Sequence, residues 1–125
     1  MKDIVQKIEK LNVNVQAAAK VCIYSKTKLI GPGIVELLKY IKEYKTLQLA
    51  CKNMGLSYTK GWKIINRLEK GLGIKILVTK IGGATGGESK LTKAAVNIIE
   101  IYENIQADVD KALSKSLKKH LIFSK

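Results

Sequence analysis

Apolar residues recur along much of the chain at steps of three and four, which is the period of an amphipathic helix. Such stretches lie at residues 2–11, 34–44 and 93–119. The second follows Gly31-Pro32-Gly33, where proline suits the first helical turn because its missing N–H would be unpaired there anyway. The pattern predicts a mainly α-helical protein that ends in a long helix.

The period changes to two between the first two helices. From Val13 to Ile23, apolar residues alternate with mostly polar ones, which predicts a half-buried strand. A turn at 26–28 and a short return strand at Leu29-Ile30 would complete an N-terminal β-hairpin.

Residues 46–70 carry the signals of two helices joined by a tight turn. Thr46 and Ser57 are good N-cap residues, and Gly55 suits the left-handed position that ends a helix. This order is typical of a helix-turn-helix. In the second helix Gly61 would let the two backbones approach closely.

One face of the second predicted helix is basic. It holds Tyr58, Thr59, Lys60, Lys63, Asn66, Arg67 and Lys70. These include four cations and no acid, and the N-terminal end of a recognition helix is the end that meets base edges in the major groove. We therefore expect this face to contact DNA. Trp62 lies at the edge of the apolar stripe, and core anchoring is the better prediction for it than base stacking.

Residues 74–92 are predicted to form a wing, made of a strand, a glycine-rich loop and a return strand. Glycine adds no side-chain bulk, so the tip can approach a phosphate backbone. Four wing residues are predicted DNA contacts: Lys80, Gly83, Thr85 and Lys90. A P-loop is excluded because its pattern needs lysine where Glu88 stands.

The helix at 93–119 carries an apolar seam that is too long for so small a domain to cover alone. A second copy is the natural cover, and a helix folded back on its own domain is the alternative. The predicted dimer interface consists of Ile98, Tyr102, Ile105, Val109, Ala112 and Leu113.

The charge of the chain and its distribution favour one class of binding partner. The 125 residues fit a single domain, 1–125, and the formal net charge of +13 favours a polyanionic partner. A general lysine bias is the alternative explanation, because 22 of 23 basic residues are lysine. Yet residues 57–93 hold eight basic residues against two acidic ones, whereas residues 94–125 hold five against four. The excess is concentrated on the predicted helix-turn-helix and wing.

Several classes of function are disfavoured by what the sequence offers. Cys22 and Cys51 are far apart and accompany a single histidine, His120, so no zinc-ligand spacing is present. There is no catalytic carboxylate pair or Cys/His pair, and an enzyme is not expected. No stretch approaches the length of a membrane span, and no signal peptide opens the chain. The expectation is a cytoplasmic, nucleoid-associated protein with no cofactor and no membrane partner.

Two stretches resemble the winged helix-turn-helix of the ModE family of molybdenum-responsive transcription regulators. Residues 55–62, GLSYTKGW, are similar to that family's G-[IM]-S-Y-x-x-A-W run. Residues 82–87, GGATGG, followed by Leu91-Thr92, are similar to its glycine wing and helix start, and residues 68–73 also resemble the LysR-type winged helix. The resemblance implies that Ser57, with the start of the recognition helix, meets DNA, and that the first and last helices form the dimer.

The chain departs from that family in two respects. Gly61 stands where the family prefers alanine, which is expected to loosen the helix slightly. The sequence also stops near residue 125, so molybdate sensing is not carried over and no small-molecule effector is expected.

The leading hypothesis is a dimeric, sequence-specific transcription regulator that binds double-stranded DNA and lacks the molybdate-binding domain. The alternative is an architectural chromatin protein that tolerates any DNA sequence. A winged helix used for protein contacts is a third possibility, which the charge disfavours.

Overall fold

The computed structural model describes residues 2–11, 15–80 and 87–121. Within these ranges the chain forms, in order, α1 (Lys2–Glu9), β1 (Ile23–Ser25), β2 (Thr27–Ile30), α2 (Pro32–Tyr44), α3 (Leu47–Met54), α4 (Tyr58–Leu72), β3 (Leu77–Lys80), β4 (Glu88–Leu91) and α5 (Lys93–His120). Each strand pair is a two-stranded antiparallel sheet. The predicted class, mainly helical with small antiparallel sheets, is confirmed. In the same ranges, none of the helices is both long enough and apolar enough to cross a membrane.

A single apolar cluster joins the helices from α2 to α5 and the second hairpin. Its most deeply buried side chains are Leu37, Leu38, Ile41, Leu47, Cys51, Ile65, Leu68 and Ile76. They come from the apolar stripes of α2, α3 and α4 and from the entry to β3, so each stripe covers its neighbours from water. This core fixes the orientation of α4.

The predicted strand from Val13 to Ile23 is wrong over most of its length. Strand β1 begins only at Ile23, residues 15–22 have no regular secondary structure, and Val13 lies outside the described residues. The backbone here is held by side chains of α5. Gln106 accepts the Val21 N–H at 2.9 Å and donates to the Ala19 carbonyl at 2.8 Å. These bonds satisfy the polar backbone groups that a strand partner would otherwise have paired.

The second hairpin also begins later than the pattern from residue 74 predicted. Glu69 accepts the N–H groups of Ile76 and Leu77 at 2.8 and 3.2 Å, which holds the chain as it enters β3. Both of those residues are buried, whereas Ile74 and Val78 are exposed. Leu77 pairs with Leu91 across the hairpin. These two hydrogen bonds to Glu69 hold the chain at the start of the strand, which periodicity alone did not reveal.

The rest of this chain covers part of the apolar seam on α5. Ile98 and Tyr102 were predicted to face a second copy, but they are buried against this chain, and the Tyr102 hydroxyl donates to the Val21 carbonyl at 2.8 Å. Ile105 is exposed, as is Ala112, while Val109 and Leu113 are half-buried. For these four residues, cover by a second copy stays a prediction.

We expect Tyr102→Phe to lower the free energy of unfolding by about 1 kcal/mol, because the partly buried Val21 carbonyl loses its donor. Burial, and to a lesser extent the charge on Cys22, raise the pKa of the Tyr102 phenol. The neutral phenol is therefore favoured in the folded state, so its contribution is complete below the unfolded pKa and is lost as pH rises through the folded value.

Urea unfolding at pH 8 and pH 11 tests this expectation. Wild type should lose more stability on the alkaline side than Tyr102→Phe does, since lysine titration is common to both proteins. Equal losses would contradict the assigned role of Tyr102.

Candidate functional site

The turn between α3 and α4 is fixed by local capping at both of its ends. The Thr46 hydroxyl accepts the Leu49 N–H at 3.0 Å and starts α3. Gly55 ends that helix with φ 70°, a left-handed conformation that suits glycine. The Ser57 hydroxyl then accepts the Lys60 N–H at 3.1 Å and starts α4. The predicted caps are all present, and they set the direction in which α4 leaves the turn.

Helices α3 and α4 touch where Gly61 faces Cys51. A Cβ atom built on Gly61 would lie only 2.2 Å from the Cys51 sulfur, well inside van der Waals contact. Both residues are buried. The glycine was expected to loosen α4 slightly, but here it makes room for a cysteine on the neighbouring helix. Burial raises the pKa of the Cys51 thiol, which keeps it in its neutral, unreactive form.

The outer face of α4 is exposed and cationic. Ser57, Tyr58, Thr59, Lys60, Lys63, Asn66 and Arg67 are all exposed, and so is Lys70. The four cations follow one another at steps of three and four, so they form a row about 15 Å long. The one acid of this helix, Glu69, is turned toward β3, and its side chain is only 18% exposed. Nothing on α4 itself therefore neutralises the row.

The second hairpin lies beside the N-terminal end of α4. Tyr58 and Trp62 pack edge to face with ring centroids 6.2 Å apart, and both line a small cleft of about 240 Å³ together with Lys80. Trp62 is partly buried against the core, in keeping with an anchoring role. Lys80 pairs with Glu88, and Lys90 pairs with Val78, so both lysines lie on the same exposed face of the hairpin. Gly83 and Thr85 lie outside the described residues.

Sequence reasoning missed Ser89 in this hairpin. Its side chain is buried, and its hydroxyl accepts the Leu47 N–H at 3.4 Å, while its own N–H donates to the Lys45 carbonyl at 2.8 Å. These bonds attach β4 to the junction of α2 and α3. A serine in the predicted return strand was the available signal, but its partners are more than forty residues away.

The donors on this surface suit an anion better than a metal cation. Across the part of the chain that the structure describes, no three histidine, cysteine, aspartate or glutamate side chains lie close enough to hold a metal ion. Lysine, arginine and backbone N–H groups instead match the oxygens of a phosphate or another oxyanion.

None of the established family profiles matches the chain. Comparison with individual known proteins does find relatives. The molybdenum-pterin-binding protein MopB of Rhodobacter capsulatus is 33% identical over 85 residues, which are 68% of this chain and 32% of that protein. The transcriptional regulator ModE of Haemophilus influenzae is 29% identical over 83 residues, covering 66% and 32%. The DNA-binding transcriptional dual regulator ModE of Escherichia coli is 32% identical over 82 residues, covering 65% and 31%.

These matches confirm the predicted relationship to the ModE family. The chain spans about a third of the length of the curated relatives it matches. The names of those relatives describe binding or transcription regulation and not catalysis.

The comparisons also correct the predicted function. The leading hypothesis, a dimeric sequence-specific DNA-binding regulator without a molybdate-binding domain, is wrong, because the matches include proteins named for binding a molybdenum pterin. The alternative of a sequence-tolerant chromatin protein fails on the same finding. The expectation of no small-molecule effector is likewise wrong. That expectation relied on the length of the chain, whereas the similarity to the molybdenum-pterin-binding proteins is carried by residues that the chain contains.

The contact between α3 and α4 yields a direct test. We expect Gly61→Ala to lower the free energy of unfolding by about 1–3 kcal/mol, because the new methyl group overpacks the Cys51 sulfur. Cys51→Ala makes room for that methyl group, so the double variant should recover most of the loss.

Chemical denaturation of the two single variants and the double variant measures this coupling as a double-mutant cycle. Strictly additive effects would show that the two residues do not oppose each other across the helix contact.

Proposed function

We propose that this chain takes part in molybdenum-responsive regulation and binds a molybdenum-containing small-molecule anion. The observation that carries the proposal is that about two thirds of the chain resembles both molybdenum-pterin-binding proteins and ModE regulators. The formal net charge of +13 supports an anionic ligand. Such a role is regulatory and non-catalytic, and we propose that it is carried out in the cytoplasm, at the nucleoid.

The chemistry of the side chains supports binding of the element as an oxyanion or as part of an organic complex. A bare metal cation would need clustered carboxylates, thiolates or imidazoles, and the described residues hold no such cluster. Lysine and arginine side chains bind the oxygens around the metal, or a phosphate attached to its organic ligand, by charge-assisted hydrogen bonds.

Equilibrium dialysis tests the proposed ligand. The full chain is dialysed against sodium molybdate with sulfate in excess, and retained molybdenum is measured by mass spectrometry. A second arm uses a molybdenum complex of a phosphorylated pterin. We expect retention in at least one arm that excess sulfate does not remove, because a specific site reads more than charge.

The control is Lys111→Gln combined with Lys115→Gln, two exposed changes on α5 that lower the net charge without touching α4. Retention should be the same in this variant. Loss of all molybdenum to sulfate in both arms would contradict the proposal.

A second candidate function is contact between α4 and the phosphates of double-stranded DNA. The specific observation in its favour is the exposed cationic row on α4, with its one acid turned away. In this proposal α3, α4 and the second hairpin act as a winged helix-turn-helix. Lysine and arginine side chains on this surface neutralise phosphates. The proposed contacting residues are Ser57, Tyr58, Thr59, Lys60, Lys63, Asn66, Arg67, Lys80 and Lys90, together with Gly83 and Thr85, which lie outside the described residues.

We expect Lys63→Ala combined with Arg67→Ala to weaken duplex binding more than about tenfold at moderate salt, because two phosphate-neutralising groups are lost. The dependence of log affinity on log salt should also become shallower by about two units. Fluorescence anisotropy with a labelled duplex over a range of salt concentrations measures both quantities.

Lys111→Ala combined with Lys115→Ala removes the same charge from α5 and serves as the matched control. If both double variants lose affinity equally, net charge and not the α4 face is responsible, and the second candidate fails.

A further inference from the structure

A cavity lies on the side of α4 away from the second hairpin. Its volume is about 740 Å³, within the range of small-molecule sites. Four elements line it: β2, the start of α2, the end of α3 and the second half of α4. On one side, α4 and β2 are in close contact, since a Cβ atom built on Gly71 would lie 2.7 Å from the Leu29 side chain. We call this the β2–α4 cavity.

The charges around the β2–α4 cavity are all positive. Lys28, Arg67 and Lys70 line it, and among the described residues no carboxylate does. Lys28 folds back over the Gly31 backbone, so its ammonium group stays at the cavity edge. The 13-residue helix α2 also begins here, and the positive end of its dipole favours an anion.

A second cavity of the same volume shows that this charge pattern is not general. It lies between α2, α5 and residues 18–20, and is also about 740 Å³. Its lining includes the carboxylates of Glu36, Glu43, Glu103 and Asp110 against the ammonium groups of Lys20 and Lys39. Lys39 is already paired with Glu103 at 2.7 Å. An anion is therefore favoured in the β2–α4 cavity and disfavoured in this one.

The wall of the β2–α4 cavity is apolar. The half-buried side chains of Leu29, Ile34, Met54, Leu56 and Ile64 line it and pack against the core. Such a surface binds a flat ring by removing both from water. A methionine side chain adapts its shape to a ring and makes favourable sulfur–aromatic contacts. A simple oxyanion would leave this surface uncovered.

We propose that the β2–α4 cavity binds a small molecule that combines a flat heterocyclic ring with a phosphate or similar oxyanion group. The ring lies on the apolar wall, and the anionic group contacts Lys28, Arg67 and Lys70. This inference rests on the proposed function, in which the chain binds a molybdenum-containing anion, and it assigns that ligand a place and a chemical class. Arg67 also belongs to the outer face of α4, so the ligand competes with a nucleic-acid phosphate for one guanidinium.

The test uses the fluorescence of neopterin triphosphate, which carries both the ring and the anion. Neopterin supplies the ring without phosphate, and inorganic triphosphate supplies the anion without the ring. We expect the full chain to bind neopterin triphosphate at least about tenfold more tightly than either part, because ring burial and charged hydrogen bonds both contribute.

Two variants locate the site. Lys28→Gln removes one cation, and Gly33→Phe places a ring in the cavity. An added Cβ on Gly33 meets no atom within 4 Å, so this change should leave the fold intact. The matched control is Lys115→Gln, which removes one charge from α5. Thermal unfolding of every variant confirms that it is folded.

We expect Lys28→Gln and Gly33→Phe each to weaken binding of neopterin triphosphate about tenfold, while Lys115→Gln binds as wild type does. Unchanged binding in both site variants would overturn the inference, as would inorganic triphosphate binding as tightly as the pterin. If the chain retains molybdenum in dialysis but binds no pterin phosphate, this inference fails and the proposed function stands. If it retains no molybdenum, the proposed function fails.

Discussion

The close approach of α3 and α4 at Gly61 and Cys51 is the contact on which the rest of the structure depends. Because a Cβ on Gly61 would meet the Cys51 sulfur at 2.2 Å, the two helices can pack this closely, with cysteine at 51, only if residue 61 is glycine. Their packing buries Ile65 and Leu68 and leaves the opposite side of α4 in water. The exposed cationic row and the lining of the β2–α4 cavity both follow from that orientation. Glycine is thus a packing requirement here and not a local weakness of the helix.

Local chemistry was readable from the sequence, and long-range contacts were not. The caps at Thr46 and Ser57 and the left-handed Gly55 depend on residues within a few positions, so their geometry could be predicted. The bonds from Gln106 to residues 19 and 21 join positions more than eighty residues apart. They replace the strand that the alternation up to Ile23 indicated. Tyr102 was assigned to a dimer interface because periodicity identifies an apolar seam but does not reveal what covers it.

In the candidate site, too, local features could be predicted from the sequence and long-range contacts could not. The basic face of α4 could be predicted because helical periodicity decides which residues share a face. The orientation of Glu69 could not be predicted, because its hydrogen bonds to Ile76 and Leu77 turn it toward β3. The β2–α4 cavity also escaped prediction, because it is built from four separate elements. Excluding a small-molecule ligand from chain length was an error of a different kind. The relatives named for molybdenum-pterin binding align with residues that the chain contains.

Arg67 has two proposed anionic partners, a ligand in the β2–α4 cavity and a phosphate on the outer face of α4. Linkage requires that each of two competing ligands weakens the other by the same factor. The most direct measurement is duplex affinity at fixed salt with and without saturating neopterin triphosphate, in wild type and in Gly33→Phe. Competition for Arg67 predicts weaker duplex binding in wild type when neopterin triphosphate is present, and a much smaller effect in Gly33→Phe. An equal effect in both proteins would mean that the anion acts through charge alone, and it would contradict a ligand site beside α4.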